Sequence, residues 1–389
     1  MKKLIVLLLV ALLAIGVFTA CRAEGPPAPT PEATPALATP MPAPEPEPTQ
    51  HPNAANMRIA LVEHSPWSVS HHAWTYWGPF PAIRWFQDSH GLSANSMEFF
   101  QPHEASDEAR IHLVTDAILE WDSNVIIMNG GGFAAAAAQL QEMFPEVKFI
   151  LIEAAPYGEA AENLAAILFA EEQAGFLAGY AAVMEGHRSL GFMGCTGSHR
   201  ALPTVVRYGH GFLQGAEYAA AALGLEEGAV TVRYTYLGRF ARYSAHTTVA
   251  ADWFADGVEV IFATNSDANM AAMTAARDAG GLVIGADIDQ SLAGDFVLTS
   301  AVKALDRSVY EMLTGILNGE FRNGMRRFDA SNNGIGLSME NSHFQTFTQA
   351  QYDAIFSLLA DGTVRVDDTV SDSPAGVLDL RFVTLYFIN

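Results

Sequence analysis

The stretch VEVIFATNSDANMAAMTAARDAGGLVIGAD, residues 258–287, contains two short apolar runs separated by an alanine-rich segment. The runs 258–264 and 281–287 have the length and composition of buried strands, and 268–279 has the composition of a helix. A strand, a helix and a second strand in this order are typical of a parallel sheet with a crossover helix. The stretch therefore predicts an α/β fold.

The same alternation recurs along the chain, in two series that divide at about Glu185. Further apolar runs typical of strands occupy 57–62, 124–128, 148–153, 189–194 and 230–236. Further segments typical of helices occupy 108–121, 133–143, 170–185, 203–223 and 245–256. Two such series predict two Rossmann-like lobes, each built on a parallel sheet.

A long helical pattern at 299–319 follows the second series. If this helix returns to the first lobe, the connection between the lobes is more than one strand wide, which predicts a hinged pair. The apolar run RFVTLYFI near the end of the chain is a candidate edge strand. The predicted domains are lobe I at 57–186 with 298–328, lobe II at 187–297 with 329–365, and a C-terminal extension at 366–389.

Length and charge limit the classes of function. The chain has 389 residues, of which 50% are hydrophobic, so it can bury the core of two lobes. Lys and Arg number 21 against 43 Asp and Glu, which gives a formal net charge of −22. A phosphate backbone would be repelled by this charge, so no nucleic-acid partner is expected.

The N-terminus predicts export. Lys2 and Lys3 precede an uncharged apolar run, and we assign residues 1–20 to a signal peptide. The run from Leu4 to Phe18 would reach about 22 Å as a helix, which is short of the ~30 Å hydrocarbon layer. The sequence VFTAC resembles the lipobox of bacterial lipoproteins, and the resemblance implies lipidation of Cys21. A free or buried cysteine after a signal sequence is the alternative.

A tether follows the signal peptide. Residues 24–50 form a tract of Pro, Ala, Thr and Glu without apolar periodicity, which cannot bury surface to offset the entropy of ordering. We therefore assign 21–56 to the lipidated cysteine and a disordered Pro-rich tether. A polyproline-like chain rises ~3.1 Å per residue, so the tether would hold the folded part several nanometres from a membrane.

Candidate site residues follow from the position of the strands. In parallel α/β sheets, ligands bind outside the carboxyl ends of the strands, so the polar residues just after each strand are the candidates. These are Glu63, His64, Asn129, Gly130, Asn265, Asp267 and Asp287.

The sequence motifs that would indicate phosphate binding, catalysis or metal binding are weak. The turn NGGGF at 129–133 could bind a phosphate or could be a tight turn, and it lacks a P-loop lysine. Cys195 and Ser198 are candidate nucleophiles, although no GxSxG motif is present. His71 and His72 lack the spacing of a metal site. We expect no catalytic residue, no metal and no cofactor.

Asp287 and Asp289 stand two residues apart just after an apolar run, so both could reach one cleft. Ionised carboxylates only accept hydrogen bonds, which suits the vicinal hydroxyls of a sugar or ribose. A glycosidase would need a second carboxyl group facing them, and none is well marked. We assign ligand binding to Asp287 and capping of the following turn to Asp289.

The folded part, at about 57–340, resembles the basic membrane protein family of solute-binding lipoproteins. The resemblance rests on ordered motifs, among them FAEEQAGFLAGYAA, LGFMG, PTVVRYGHGFLQG, VIGADIDQS and VLTSAVKALDRSVYEML. The family's best-known members bind purine nucleosides for ABC transporters and have the type I periplasmic-binding-protein fold. The resemblance implies that Asp287 accepts hydrogen bonds from ribose, that Lys303 contacts the sugar side, and that Tyr208 stacks on the base.

The chain departs from the family mainly in the first lobe. The family's Asp after the first strand is replaced by Glu63 or His64, and its second stacking Phe by Trp67 or Trp74. A glycine-rich turn of the second lobe reads NSDAN at 265–269. The ribose half of the pocket is therefore better kept than the base half, and purine specificity is not expected.

The sequence predicts a membrane-anchored, extracytoplasmic solute-binding lipoprotein that closes on a small hydroxyl-bearing planar ligand, for which a nucleoside fits best. The partners implied by the resemblance are that small molecule, the permease subunits of an ABC transporter, and the membrane through the lipid anchor. Two alternatives remain open, a ligand-sensing lipoprotein coupled to a signalling receptor and a nucleoside hydrolase.

Overall fold

The computed structural model describes residues 51, 53–65, 78–195, 202–237, 243–371 and 373–388. The predictions made for Cys21, Trp67 and Trp74 lie outside these ranges, as do those for His71, His72 and Ser198. Within these ranges, no helix combines the length and apolar character needed to cross a bilayer.

The described segments form strands and helices in alternation. The strands are β1 Ile59–Glu63, β2 Met97–Phe100, β3 Val125–Asn129, β4 Lys148–Ile152, β5 Leu164–Phe169, β6 Ser189–Cys195, β7 Val230–Leu237, β8 Val260–Thr264, β9 Leu282–Asp287, β10 Val297–Lys303, β11 Gly324–Phe328, β12 Ile335–Leu337 and β13 Val383–Ile388. The helices are α1 Pro79–His90, α2 Asp107–Leu119, α3 Ala134–Met143, α4 Glu171–Glu185, α5 Pro203–Ala222, α6 Tyr243–Ala255, α7 Ser266–Ala279, α8 Leu305–Leu317 and α9 Gln349–Ala360.

The strands form two sheets. The first has the order β11-β5-β4-β3-β1-β2 and is parallel throughout. The second has the order β12-β10-β9-β8-β6-β7-β13 and is parallel except for β12, which runs antiparallel to β10. Central strands such as β1, β3 and β8 are buried along their whole length, as expected for a parallel sheet covered by helices. The predicted α/β fold with two parallel-dominated lobes is confirmed.

The chain passes between the sheets after β5, after β10 and after β11, so the hinge has three connections. The helix predicted at 299–319 is wrong in its first turn, because 297–303 is strand β10 and helix α8 begins at Leu305. The β-branched residues Val297, Thr299 and Val302 favour a strand, and pairing with β9 fixes it. Residues 298–303, which we assigned to lobe I, therefore lie in the second sheet.

The C-terminal extension supplies β13, which pairs in parallel with β7 at the edge of the second sheet. The carboxylate of Glu217 on α5 accepts hydrogen bonds from the backbone N–H groups of Arg381, Phe382 and Val383 at 2.9–3.0 Å. The candidate edge strand at the end of the chain is thus formed, and Glu217 anchors the residues where it begins.

Helices α4 and α5 approach each other backbone to backbone through glycines. A Cβ atom added to Gly215 would lie 1.9 Å from the carbonyl oxygen of Phe176, and one added to Gly179 would lie 2.0 Å from that of Phe212. No side chain fits in this contact. The close approach places the first turn of α4, which directly follows β5 of the first sheet, against the second lobe.

We expect Gly215→Ala to lower the free energy of unfolding by about 1–3 kcal/mol or more, because the added methyl group must push the two helices apart. Gly315→Ala is the matched control. It also lies within a helix, but its Cβ would meet no atom closer than 3.6 Å, so stability should be unchanged or higher by up to about 1 kcal/mol. Denaturant unfolding measures both, and equal effects would show that the contact between α4 and α5 is not tight.

Candidate functional site

Lys303, the last residue of β10, is surrounded by carboxylates. Its Nζ atom lies 3.2 Å from Oε1 of Glu171 and 3.0 Å from Oδ1 of Asp287, and it donates a hydrogen bond to Glu153. Glu153 follows β4 of the first sheet, whereas Asp287 ends β9 of the second. Only 2% of the Lys303 side chain is exposed. This buried cluster of Lys303, Glu153, Glu171 and Asp287, the ion cluster, joins the two lobes.

The ammonium group of Lys303 donates a hydrogen bond to Glu153 and forms ion pairs with Glu171 and Asp287. Burial alone would lower the pKa of Lys303, but the charges of Asp287 and Glu153 raise it well above its ordinary value, so the ammonium stays charged. Burial raises the pKa of the Glu153 carboxyl, against the opposing effect of Lys303. In this conformation Lys303 lies against three carboxylates, and its contact with the sugar side of a ligand stays a prediction.

The predicted pair Asp287 and Tyr208 lies together. The hydroxyl group of Tyr208 donates to Oδ1 of Asp287 at 3.0 Å. The Tyr208 ring is 2% exposed and packs edge-on against Phe262, with ring centroids 5.6 Å apart, and Nζ of Lys303 lies 5.1 Å from its centroid. The Asp287 side chain remains 26% exposed. Tyr208 thus orients Asp287 through its hydroxyl, and stacking of its buried ring on a base stays a prediction.

Three residues at strand ends have a left-handed backbone although they are not glycine. They are Glu153 with φ 64°, Asn265 with φ 76° and Asp287 with φ 71°. Such conformations cost of order 1–3 kcal/mol and cluster at functional sites. Asn265 directly follows β8 and Asp287 ends β9, and these two strands are parallel neighbours in the second sheet. The strain is therefore concentrated at the carboxyl edges of the sheets.

The first lobe contributes a second group of polar residues. Glu63 ends β1 and is fully buried, and Nδ2 of Asn129 donates to its Oε1 at 2.6 Å. Nδ1 of His64 lies 3.0 Å from the carbonyl oxygen of Asn129. The strand register sets Glu63 beside Asn129, and Asn129 beside Ile152, the residue before Glu153. This group therefore lies along the same sheet edge as the ion cluster.

The glycine turn after β3 is covered by His64. A Cβ atom at Gly130, where φ is 102°, would lie 2.4 Å from Nδ1 of His64, and one at Gly132 would lie 3.1 Å from the Arg110 guanidinium. Glycine is needed at Gly130 both for its backbone conformation and for the space the ring takes. Because these side chains cover Gly130 and Gly132, the tight-turn interpretation fits better than a phosphate cradle.

The surroundings of the remaining candidate residues indicate structural roles. Burial raises the pKa of the Cys195 thiol to about 12, so the nucleophilic thiolate is disfavoured. Asp267 is buried at the start of α7. Asp289 accepts from the backbone N–H of Ser291 at 2.9 Å and from Asn341 at 2.8 Å, which confirms its assignment as a turn cap. Among the residues the structure describes, no group of three or more His, Cys, Asp or Glu side chains could hold a metal ion.

Sequence reasoning missed two members of the ion cluster. Glu153 is the last residue of the predicted strand 148–153, so a strand-end rule that included the final residue could have identified it. Glu171 lies in the motif FAEEQ, and nothing in its spacing indicated a contact with Lys303. Arg110 was also missed, and its Nε donates to the carbonyl oxygen of His64 at 2.9 Å.

Residues 81–364 match the family model of PnrA-like ABC transporter substrate-binding proteins. The chain belongs to this family. It is 29% identical over 199 residues to basic membrane protein A1 of Borrelia garinii, covering 50% of this chain and 56% of that protein. It is 22% identical over 220 residues to an uncharacterized lipoprotein of Pyrococcus abyssi, covering 55% and 54%. The chain thus spans about half the length of the curated relatives it matches.

The fold agrees with solved structures. The solute-binding protein of an ABC transporter system from Conexibacter woesei superposes with a TM-score of 0.62 at 18% identity, over 80% of this chain and 99% of that one. Membership of the PnrA-like family confirms the family that the motifs predicted. The structural match confirms a fold of the periplasmic-binding-protein type.

We expect Lys303→Met to lower the free energy of unfolding by about 3–5 kcal/mol, because it leaves Glu153 and Asp287 without their cation and leaves Glu171 with only Arg207, 3.6 Å away. Lys148→Met is the control, since Lys148 is half-buried and lies 5.2 Å over the ring of Phe321 but outside the ion cluster. Its loss should cost less than about 1 kcal/mol. Denaturant unfolding at neutral pH gives both values, and a Lys303→Met protein as stable as wild type would contradict the importance of the ion cluster.

Glu172, next to Glu171, gives a pH-dependent prediction. Burial raises its pKa from 4.5 to about 7, although Arg327 on β11 opposes the shift. Because the folded-state pKa lies above the unfolded value, its contribution to stability is complete below about pH 4.5 and is lost as the pH rises through about 7.

Glu172→Gln should therefore gain stability over wild type between pH 4.5 and 8, by about 3 kcal/mol at most. The free energy of unfolding, measured across that range, tests this. Glu340→Gln, an exposed change, should follow the wild-type curve throughout. Parallel curves for wild type and Glu172→Gln would show that Glu172 does not hold a proton near neutral pH.

Proposed function

We propose that this protein is a lipid-anchored, extracytoplasmic receptor that captures a small hydroxyl-bearing planar ligand, a nucleoside, between its lobes and presents it to an ABC permease. The proposal depends mainly on the surroundings of the Asp287 carboxylate. This carboxylate is partly exposed, accepts a hydrogen bond from the Tyr208 hydroxyl and forms an ion pair with the Lys303 ammonium. A carboxylate fixed in this way can accept hydrogen bonds from two vicinal hydroxyls without losing further side-chain entropy.

In the proposed mechanism, the two lobes close on the ligand about the hinge, which consists of the three connections between the sheets. Glu153 belongs to the first sheet and Lys303 to the second, so the ion cluster is complete only when the sheets are close. A ligand that contacts both lobes favours the closed form by its differential affinity. The ligand is bound and released without covalent change.

Charge supports a ligand without phosphate. Glu63, Glu153, Glu171 and Asp287 lie at the carboxyl edges, and the cation of the cluster, Lys303, is shared among three of them. Arg207 lies 3.6 Å from Glu171, but the four acidic side chains still outnumber these two cations, so a phosphate group brought here would meet an excess of negative charge. Nucleosides therefore fit this edge better than nucleotides.

Membrane attachment rests on the lipobox-like sequence at Cys21 and on the family's ABC transporter description. One of the relatives is an uncharacterized lipoprotein of Pyrococcus abyssi, which supports this location. A permease then follows as partner, because a tethered receptor of this family delivers its ligand at the membrane surface.

We expect Asp287→Ala to lower nucleoside affinity by at least about tenfold while the protein still folds, because the hydroxyl acceptor is lost. Asp289→Ala is the matched control. It lies two residues away and caps a turn, so it should lower stability slightly and leave affinity unchanged.

A thermal-shift screen of the full-length chain against nucleosides, bases, sugars and amino acids, followed by calorimetry, measures this. Stabilisation by amino acids or simple sugars alone would refute a nucleoside ligand. Recovery of free base and ribose after incubation would instead establish a hydrolase.

A further inference from the structure

His64 at the end of β1 is held in a single tautomer. Its Nδ1 lies 3.0 Å from the carbonyl oxygen of Asn129, and a carbonyl oxygen can only accept, so Nδ1 carries the hydrogen. Burial lowers the pKa of His64, and the positive charge of Arg110 lowers it further, so the ring is neutral at pH 7. Nε2 of a neutral ring protonated on Nδ1 is a hydrogen-bond acceptor.

The ring is fixed in position as well as in tautomer. It rests on Gly130, where even a methyl group would collide with Nδ1, and Arg110 donates to the His64 carbonyl oxygen at 2.9 Å. His64 is partly exposed at the carboxyl edge of the first sheet. Within the part of the chain that the structure describes, Nε2 of His64 has no hydrogen-bond partner. A pre-oriented acceptor therefore stands at the site.

The ionisable groups of the site offer acceptors to a ligand. Asp287 contributes a partly exposed carboxylate, and His64 contributes Nε2. The cation of the ion cluster, Lys303, donates to Glu153 and is paired with the carboxylates of Glu171 and Asp287. A ligand that pairs with these groups must bring donors of its own. Hydroxyl groups supply them at Asp287, and N–H groups of a planar ring can supply one at His64.

We infer that Nε2 of His64 reads an N–H group on the base of the ligand, so that the protein selects unphosphorylated nucleosides whose base carries a hydrogen-bond donor. This rests on the proposed capture of a nucleoside and deepens it by naming the feature of the base that is recognised. His64 is thus a specificity-determining residue contributed by the first lobe.

Three nucleosides that differ only at the base edge test the inference. Adenosine has an exocyclic NH₂ group and inosine a ring N–H, whereas purine riboside has neither. Calorimetry on the full-length protein should give affinities for adenosine, inosine or both that exceed that for purine riboside by about tenfold, the worth of one hydrogen bond. Adenosine 5′-monophosphate should bind at least about tenfold more weakly than adenosine.

His64→Phe keeps a flat ring over Gly130 but removes the acceptor, and it should reduce the preference over purine riboside to within about twofold. His64→Asn, whose amide oxygen can still accept, should restore part of it. His112→Phe, on the exposed face of α2, is the control and should keep the wild-type preference. A ratio of affinities is independent of any general loss of stability in a variant.

Each outcome of these measurements supports or contradicts a specific part of the proposal. Equal affinity of the wild type for all three nucleosides, or a preference that survives in His64→Phe, overturns the role of His64 while leaving nucleoside capture intact. An equal loss for all three nucleosides in His64→Phe shows a packing role only and also overturns it. Absence of binding to every nucleoside overturns the proposed function itself, and tight binding of the monophosphate overturns the selection against phosphate.

Discussion

The buried ammonium group of Lys303 is the charge around which the rest of the site is arranged. A cation that is removed from water needs all its hydrogen bonds supplied by the protein. Here three carboxylates surround the ammonium group, from the ends of β4 and β9 and from the start of α4, and Glu153 accepts a hydrogen bond from it. Elements far apart in sequence must therefore end at one place, and that place is the junction of the two lobes.

Backbone packing makes this arrangement possible. Glycines on α4 and α5 let the helices touch, which holds Glu171 near Lys303 and sets Tyr208 beneath Asp287. The strained backbones of Glu153, Asn265 and Asp287 lie at the same edges. The buried core thus stabilises the strained, acidic residues at these edges, whose backbone conformations would not persist without it.

Much of the site could be predicted by one local rule, that polar residues just after parallel strands meet at an edge. It identified Glu63, His64, Asn129, Asn265 and Asp287. It could not identify Glu171 or Tyr208, which lie on helices, and it could not predict the hydrogen bond from the Tyr208 hydroxyl to Asp287. Roles of this kind depend on which side chain lies opposite, and spacing along the chain carries no such information.

The α/β class, the division into two lobes and the family were determined by the sequence alone, because apolar periodicity and ordered motifs are local properties of a chain. Tertiary structure decided that 297–303 is a strand, since only pairing with β9 outweighs the helical pattern that continues into α8. It also decided the partners of Lys303 and the tautomer of His64. The contacts of Lys303 with Glu153 and of His64 with Asn129 join residues more than sixty positions apart, and they exist only once the sheets have formed.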